Sequence, residues 1–131
     1  MRHPDWPTRM DQAIHDCMQR TFRYGRFDCC IFVAYVLEAM TGHDYLAAWQ
    51  YTNRYEAQEL LREYGGLEGA VSQELGEPIP VKQAQRGDVV MVEDDGGSLG
   101  ICVGSDVLYP ARPRGLARCK MTDGIAAWSV D

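Results

Sequence analysis

The stretch Tyr24-Gly25-Arg26-Phe27-Asp28-Cys29-Cys30-Ile31-Phe32-Val33-Ala34-Tyr35-Val36-Leu37 decides how this chain folds. Gly25 marks a connector, Asp28 offers a side-chain oxygen to cap a helix, and an unbroken apolar run follows. Glu38-Ala39-Met40 end the run, and Thr41-Gly42 supply the stop. A helix that is apolar on nearly all sides belongs in the middle of a domain. Cys29 then lies directly behind the cap, at the positive end of the helix macrodipole. A thiol there is biased toward thiolate, the nucleophilic form. The same spacing puts Cys29 on one helical face with Phe32, Val33, Val36 and Met40, so it also reads as a small core residue.

Before this helix, Pro7-Thr8 can cap another that runs to about Arg20, with Met10, Ile14, Cys17 and Met18 on its apolar side. After it, Tyr45 to Trp49 reads as a short helix or turn. Tyr55 to Tyr64 is amphipathic and ends at Gly65-Gly66, and Leu67 to Leu75 is a further helix closed by Gly76. Pro78-Ile79-Pro80 is a stiff extended linker. The remainder reads as strands: Asp88 to Glu93, a hairpin loop at Asp94-Asp95-Gly96-Gly97, then Ser98 to Gly104, Asp106 to Tyr109, Leu116 to Met121 and Ile125 to Val130. Pro110 and Pro113 mark an edge or bend, and Gly100 inside a strand marks a bulge or a close backbone approach. Helices over about 8–76 followed by a small antiparallel sheet over about 87–130 make an α+β domain. With 131 residues, one domain spanning 1–131 is expected.

Composition narrows the function. A net charge of -6 argues against a nucleic-acid partner, which needs a basic face to displace counterions from phosphates. There is no run long and apolar enough for membrane insertion. The polar start Met1-Arg2-His3-Pro4-Asp5-Trp6-Pro7 is unlike a signal peptide, so synthesis in the cytoplasm is expected. The five cysteines, Cys17, Cys29, Cys30, Cys102 and Cys119, are odd in number and form no C-x-x-C, which points to free thiols. No cofactor and no metal are expected. A thiol cluster joining Cys29 or Cys30 to Cys102 and Cys119 is the remote alternative.

Taken together, Tyr24-Gly25, Asp28-Cys29, Gly87-Asp88-Val89-Val90 and Gly100-Ile101 with Gly104 resemble the NlpC-like, papain-related cysteine peptidases. The resemblance implies a cysteine-bearing central helix packed on the sheet. It also implies a cysteine nucleophile at Cys29, a histidine base on the strand that starts at Ser98, and stem peptides of peptidoglycan as substrates. The chain departs from that pattern at the chemistry. The base position holds Ser98, and a serine hydroxyl cannot take a thiol proton as imidazole does. Phe22 stands where the family has a tyrosine that helps stabilise the oxyanion, and the residue after the nucleophile is Cys30. Among substitutes for the base, His3 is expected in a mobile N-terminal segment and His15 on the solvent side of the first helix. His43 is expected beyond the far end of the Cys29 helix, about 18 Å away at 1.5 Å per residue.

The chain is also similar to a short branch of this fold found among phage and prophage tail genes. The residues that carry this are Gly25-Arg26-Phe27-Asp28-Cys29-Cys30, Thr41-Gly42-His43-Asp44, Leu99-Gly100-Ile101-Cys102 and Ala127-Trp128. That similarity implies a catalytically degenerate pseudoenzyme in a bacteriophage tail tip, baseplate or tail-assembly step. Other tail or baseplate proteins would be its partners, and it would be incorporated in the virion tail. Trp6, Trp49 and Trp128 are candidate interface anchors, with core packing as their other use. The alternative is an active thiol peptidase or amidase that cleaves peptidoglycan stem peptides during infection.

Overall fold

The helix announced by Asp28 is the centre of the molecule. In the computed structural model, which describes residues 1–94 and 96–131, it forms α2, Cys29–Thr41. Asp28 has extended backbone (φ -137°) and accepts a hydrogen bond from the Ile31 N–H, which satisfies one orphan donor of the first turn. Gly42 ends the helix in the left-handed region at φ 81°, where a Cβ would be strained. Phe32, Val33, Val36, Leu37 and Met40 are buried, as an all-round apolar helix requires. Each such side chain contributes about 1.5–3 kcal/mol of burial.

α1, Trp6–Cys17, packs along one side of α2 and buries Met10, Ala13, Ile14 and Cys17 against it. Its boundaries differ from the sequence expectation. The helix starts before Pro7, which sits in the first turn where no backbone N–H is needed. Asp5 at the cap position makes no cap bond and instead accepts from Arg9 Nε at 2.7 Å. The helix also stops at Cys17, so Met18 is a cap residue outside the helical period and is exposed instead of apolar-packed.

A 3-10 turn, Tyr45–Ala48, leads to α3, Arg54–Glu63, and α4, Leu67–Leu75. The sheet follows, with strands β1 Val89–Val92, β2 Ser98–Cys102, β3 Asp106–Pro110, β4 Leu116–Lys120 and β5 Gly124–Trp128. All pairings are antiparallel, in the order β4-β3-β2-β1-β5. The expected loop Asp94–Gly97 includes Asp95, which lies outside the described residues. Pro78-Ile79-Pro80 does more than link: the Ile79 N–H bonds the Ala127 carbonyl and extends the pairing beside β5. Gly100 marks a close approach. A Cβ there would lie 2.5 Å from the Leu108 carbonyl oxygen on β3. The irregularity in the sheet lies elsewhere, between Met91 and Val92.

Strand alternation divides the apolar residues between two faces. Val89, Leu99, Ile101 and Trp128 face the helices and join the α1–α2 core. Val90, Val92, Cys102, Val107 and Ala127 face the other way, under Ile79, Val81 and Met121. Trp49 and Trp128 are buried and serve the core, with Trp128 Nε1 donating to Ser72 Oγ at 3.0 Å. α2 therefore lies between α1 and the face of β2, and its N-terminus points at the start of that strand.

Candidate functional site

Three segments converge on the N-terminus of α2. The connector reaches it through Gly25, whose φ of +85° and close approach to the Tyr51 carbonyl leave no room for a Cβ. The Gly25 N–H donates to Asp28 Oδ2 at 3.0 Å. From the irregular segment after the 3-10 turn, Tyr51 Oη donates to the same oxygen at 2.6 Å. Asp28 is thus buried with both carboxylate oxygens engaged, and it fixes the first turn of α2 from below.

Cys29 is the first residue of that turn and is half-buried, whereas Cys30 is buried. The two cysteines diverge in acidity. A hydrogen bond from Cys30 is the largest cause holding the Cys29 thiol below its ordinary range, helped by the Leu99 backbone and the Ser98 side chain. Burial and the charge of Asp28 oppose this. The same hydrogen bond, with burial, pushes the Cys30 thiol well up, so Cys30 remains a donor. Tyr51 is also pushed up, first by burial and then by its acidic neighbours, and keeps the proton it gives to Asp28.

Above the sulfur lies a cleft of about 630 Å³. Cys29 and Ser98 both line it, so the two residues singled out in the sequence are brought together by the fold. Ser98, at the start of β2, is close enough to hydrogen-bond the sulfur. It can donate to a thiolate there but cannot act as a base near neutral pH. Phe22 lines the cleft as well, with the Arg112 guanidinium 4.3 Å over its ring and Tyr24 edge-on at 5.2 Å. Arg112 Nη2 donates to Tyr24 Oη at 3.0 Å.

None of the three histidines lines this cleft. His15 is exposed on α1, and His43 packs against Tyr45 beyond the far end of α2. His3 departs from expectation, because the N-terminal segment is tied down. The His3 N–H bonds the Met40 carbonyl at 2.7 Å, and Arg2 bonds Val130, Arg86 and Asp88. The thiol cluster across Cys29, Cys30, Cys102 and Cys119 is not assembled. Cys29 and Cys30 lie on the helical side, while Cys102 and Cys119 belong to the cluster on the other face of the sheet. Among the described residues no group of three or more His, Cys, Asp or Glu side chains is placed to hold a metal ion, and no helix is long and apolar enough to cross a membrane.

Sequence reasoning missed Tyr51, Arg54 and Arg112 as cleft residues, and took Trp49 only as a core or interface tryptophan. Tyr51 lies 23 residues from Asp28 in a stretch with no periodicity, so nothing local signals their contact. The comparison with protein families decides kinship. A model described as a domain of unknown function, DUF6950, matches residues 1–130. The chain belongs to the DUF6950 family. No curated protein matches it.

Proposed function

We propose that the chain is an NlpC-like, papain-related domain whose catalytic imidazole has been replaced, and that it works as a structural or interaction part of a bacteriophage tail tip or baseplate. The observation that carries this reading is the pairing of Cys29 with Ser98 across the cleft. In the family it resembles, a histidine at the Ser98 position takes the thiol proton and later protonates the leaving amine. A serine does neither, so among the described residues lining the cleft amide hydrolysis has no imidazole as its acid–base partner. Phe22, with no hydroxyl to offer an oxyanion, supports the same reading. What remains is a cleft able to receive a peptide segment, on a domain made in the cytoplasm and carried into the virion, with other tail or baseplate proteins as partners.

Two measurements test this. Mass spectrometry of purified virions is expected to find the chain, and assays with peptidoglycan stem peptides are expected to find no cleavage. Absence from virions would remove the tail role. Cleavage by the wild-type protein that disappears in Cys29→Ala would remove the degenerate-site reading. Ser98→His is expected to restore some Cys29-dependent cleavage, because it returns an imidazole to the position facing the sulfur.

A second reading, an active thiol amidase, draws support from one observation. Cys29 opens into the cleft and its thiol is held below the ordinary range. If Cys29→Ala leaves peptide cleavage and infection unchanged, that reading fails.

A further inference from the structure

Positive charge is concentrated in two short stretches of a chain whose net charge is -6. Residues 17–27 and 111–122 hold seven of the 13 Lys and Arg and none of the 19 Asp and Glu. The fold lays the two stretches side by side. The Phe22 N–H bonds the Pro113 carbonyl at 2.9 Å, the Gly115 N–H bonds the Arg20 carbonyl at 2.9 Å, and Thr21 bridges Arg114 in antiparallel fashion. Arg23, Arg26 and Arg114 are exposed. Arg20 is held in place, with Nη2 donating to the Arg26 carbonyl at 2.8 Å and the guanidinium 4.7 Å over the Phe27 ring. Among the described residues none of these four guanidinium groups forms a salt bridge.

This positive region lies where the connector stops covering a sheet edge. β4 is an outermost strand, and its extension is paired with the connector only as far as Gly115. Among the described residues no strand pairs with its outer edge over Leu116–Lys120. The phase of the ladder decides which backbone groups are left over. The Ala111 N–H bonds the Gly115 carbonyl, the Met121 N–H bonds the Ser105 carbonyl, and every β3–β4 pair keeps that register. Antiparallel pairs alternate between hydrogen-bonded and non-hydrogen-bonded. Ala117 and Cys119 therefore turn their N–H and carbonyl groups toward β3, while Leu116, Arg118 and Lys120 turn theirs outward. Such a row of backbone groups is a template for one more strand. It runs for five residues, about 17 Å at roughly 3.4 Å per residue.

We propose that the outer edge of β4 takes up an acidic, extended segment of a partner protein as an added strand. An antiparallel addition continues the pattern of the sheet and sets the C-terminal end of the segment against Arg20 and Arg114. Charge is uneven along the edge. Arg118 is engaged by Asp106 at 2.7 Å, and Asp123 follows the strand, so the attraction is strongest at the Gly115 end. The acidic residues of the segment therefore belong at its C-terminal end. A second copy of this chain fits poorly, because strand addition would bring the Arg118 and Lys120 side chains of one copy against those of the other. A phosphate polymer would match the charge and leave the outward N–H and carbonyl groups without partners of the right spacing. The edge serves this role whatever Cys29 does in the cleft.

The test uses the full-length protein at pH 7 and low salt with two synthetic peptides of alternating threonine and valine, one ending in three glutamates and one in three glutamines. Amide hydrogen exchange followed by NMR reads the site, and a fluorescent label on the peptide reads affinity. In the free protein the amides of Ala117 and Cys119 are expected to exchange slowly and those of Leu116, Arg118 and Lys120 quickly. The glutamate peptide is expected to slow the second set about tenfold, to bind about tenfold more tightly than the glutamine peptide, and to lose most of that margin at about 0.5 M salt. Arg114→Gln, at an exposed position, is expected to weaken the glutamate peptide about threefold and leave the glutamine peptide unchanged. Equal binding of the two peptides, or no binding of either, would overturn the proposal. A glutamate peptide that binds and leaves the outward amides fast would overturn it too, since the surface would then read charge alone, as a phosphate polymer would. Slow exchange of those amides in the free protein that is lost on dilution would assign the edge to a second copy instead.

Discussion

Asp28 and Asp88 are both buried, at 2 % and 3 % exposure, and both gather hydrogen bonds from distant parts of the chain. Asp88 accepts from Arg2 Nη2 at 2.8 Å and from the N–H groups of Gln85 and Val130, so its charge is met by a guanidinium. Asp28 accepts from Gly25, Ile31 and Tyr51, all neutral donors. The difference separates a fastening from a site. At Asp88 the charge is paired with Arg2 where it ties Arg2 and Val130 beside the sheet, and it adds only a lesser push to the Cys102 thiol, which burial raises first. At Asp28 the charge acts on its surroundings, raising both the Tyr51 phenol and the Cys29 thiol against the donors that lower the latter. The reactive end of α2 is therefore a balance of opposing effects, while the Asp88 end is a closed ion pair.

Breaking the fastening has the largest expected effect. Asp88→Ala leaves Arg2, whose side chain is only 14 % exposed, without its carboxylate and orphans two backbone N–H groups. A loss of about 3–5 kcal/mol in urea unfolding is expected. A loss below about 1 kcal/mol would erase the distinction drawn between the two aspartates. Asp28→Ala comes next. It removes the cap of α2 and leaves the buried Tyr51 hydroxyl without an acceptor, for about 2–4 kcal/mol. It should also alter Cys29 alkylation, whereas a destabilised Asp88→Ala that remains folded should not.

That contrast also marks what the sequence could reveal. The Asp28 end was legible because its signals are local: a capping residue, an apolar run and a terminal glycine within one helix, followed by a strand starting at Ser98. The α+β order was legible for the same reason, since helical and strand periods occupy separate halves of the chain. The Asp88 fastening was not legible. Its partners lie 86 and 42 residues away, and no period or motif connects Arg2 or Val130 to it. The cleft walls failed similarly. Arg112 follows Pro110 in an irregular turn, and its position over Phe22 comes from the path of the chain after β3 and not from any pattern. Met18 shows the complementary failure, a periodic reading carried one residue past the end of α1.

Tyr51→Phe refines the comparison within the Asp28 end. It deletes one neutral donor and keeps the ring, the cap and the cleft volume. Because a hydrogen bond to a carboxylate is lost in a buried place, about 1.5 kcal/mol of stability should go with it. Asp88 provides the control, since its donors Arg2, Gln85 and Val130 do not include Tyr51. Chemical denaturation would read the loss. An unchanged stability would mean that the 2.6 Å bond contributes nothing net and that Asp28 rests on its backbone donors alone.

Ser98→Ala should have the smallest effect on stability, within about 0.5 kcal/mol, because Ser98 is half-buried at a strand end. Its effect should appear in the pH profile of Cys29 alkylation. A donor to the thiolate stabilises the charged form and lowers the thiol's pKa, so the wild-type midpoint should lie below the ordinary thiol value of about 8.5. Removing the hydroxyl removes one stabilising partner and should move the midpoint up. Cys30 is the larger cause of the lowering, so Cys30→Ala should move it further in the same direction. Iodoacetamide labelling followed by peptide mass spectrometry across pH 5 to 9 resolves both. A midpoint that stays put in Ser98→Ala would mean that the hydroxyl does not reach the sulfur. The residue at the base position would then be a plain wall of the cleft, and the acidity of Cys29 would rest on Cys30, the Leu99 N–H and the end of the helix.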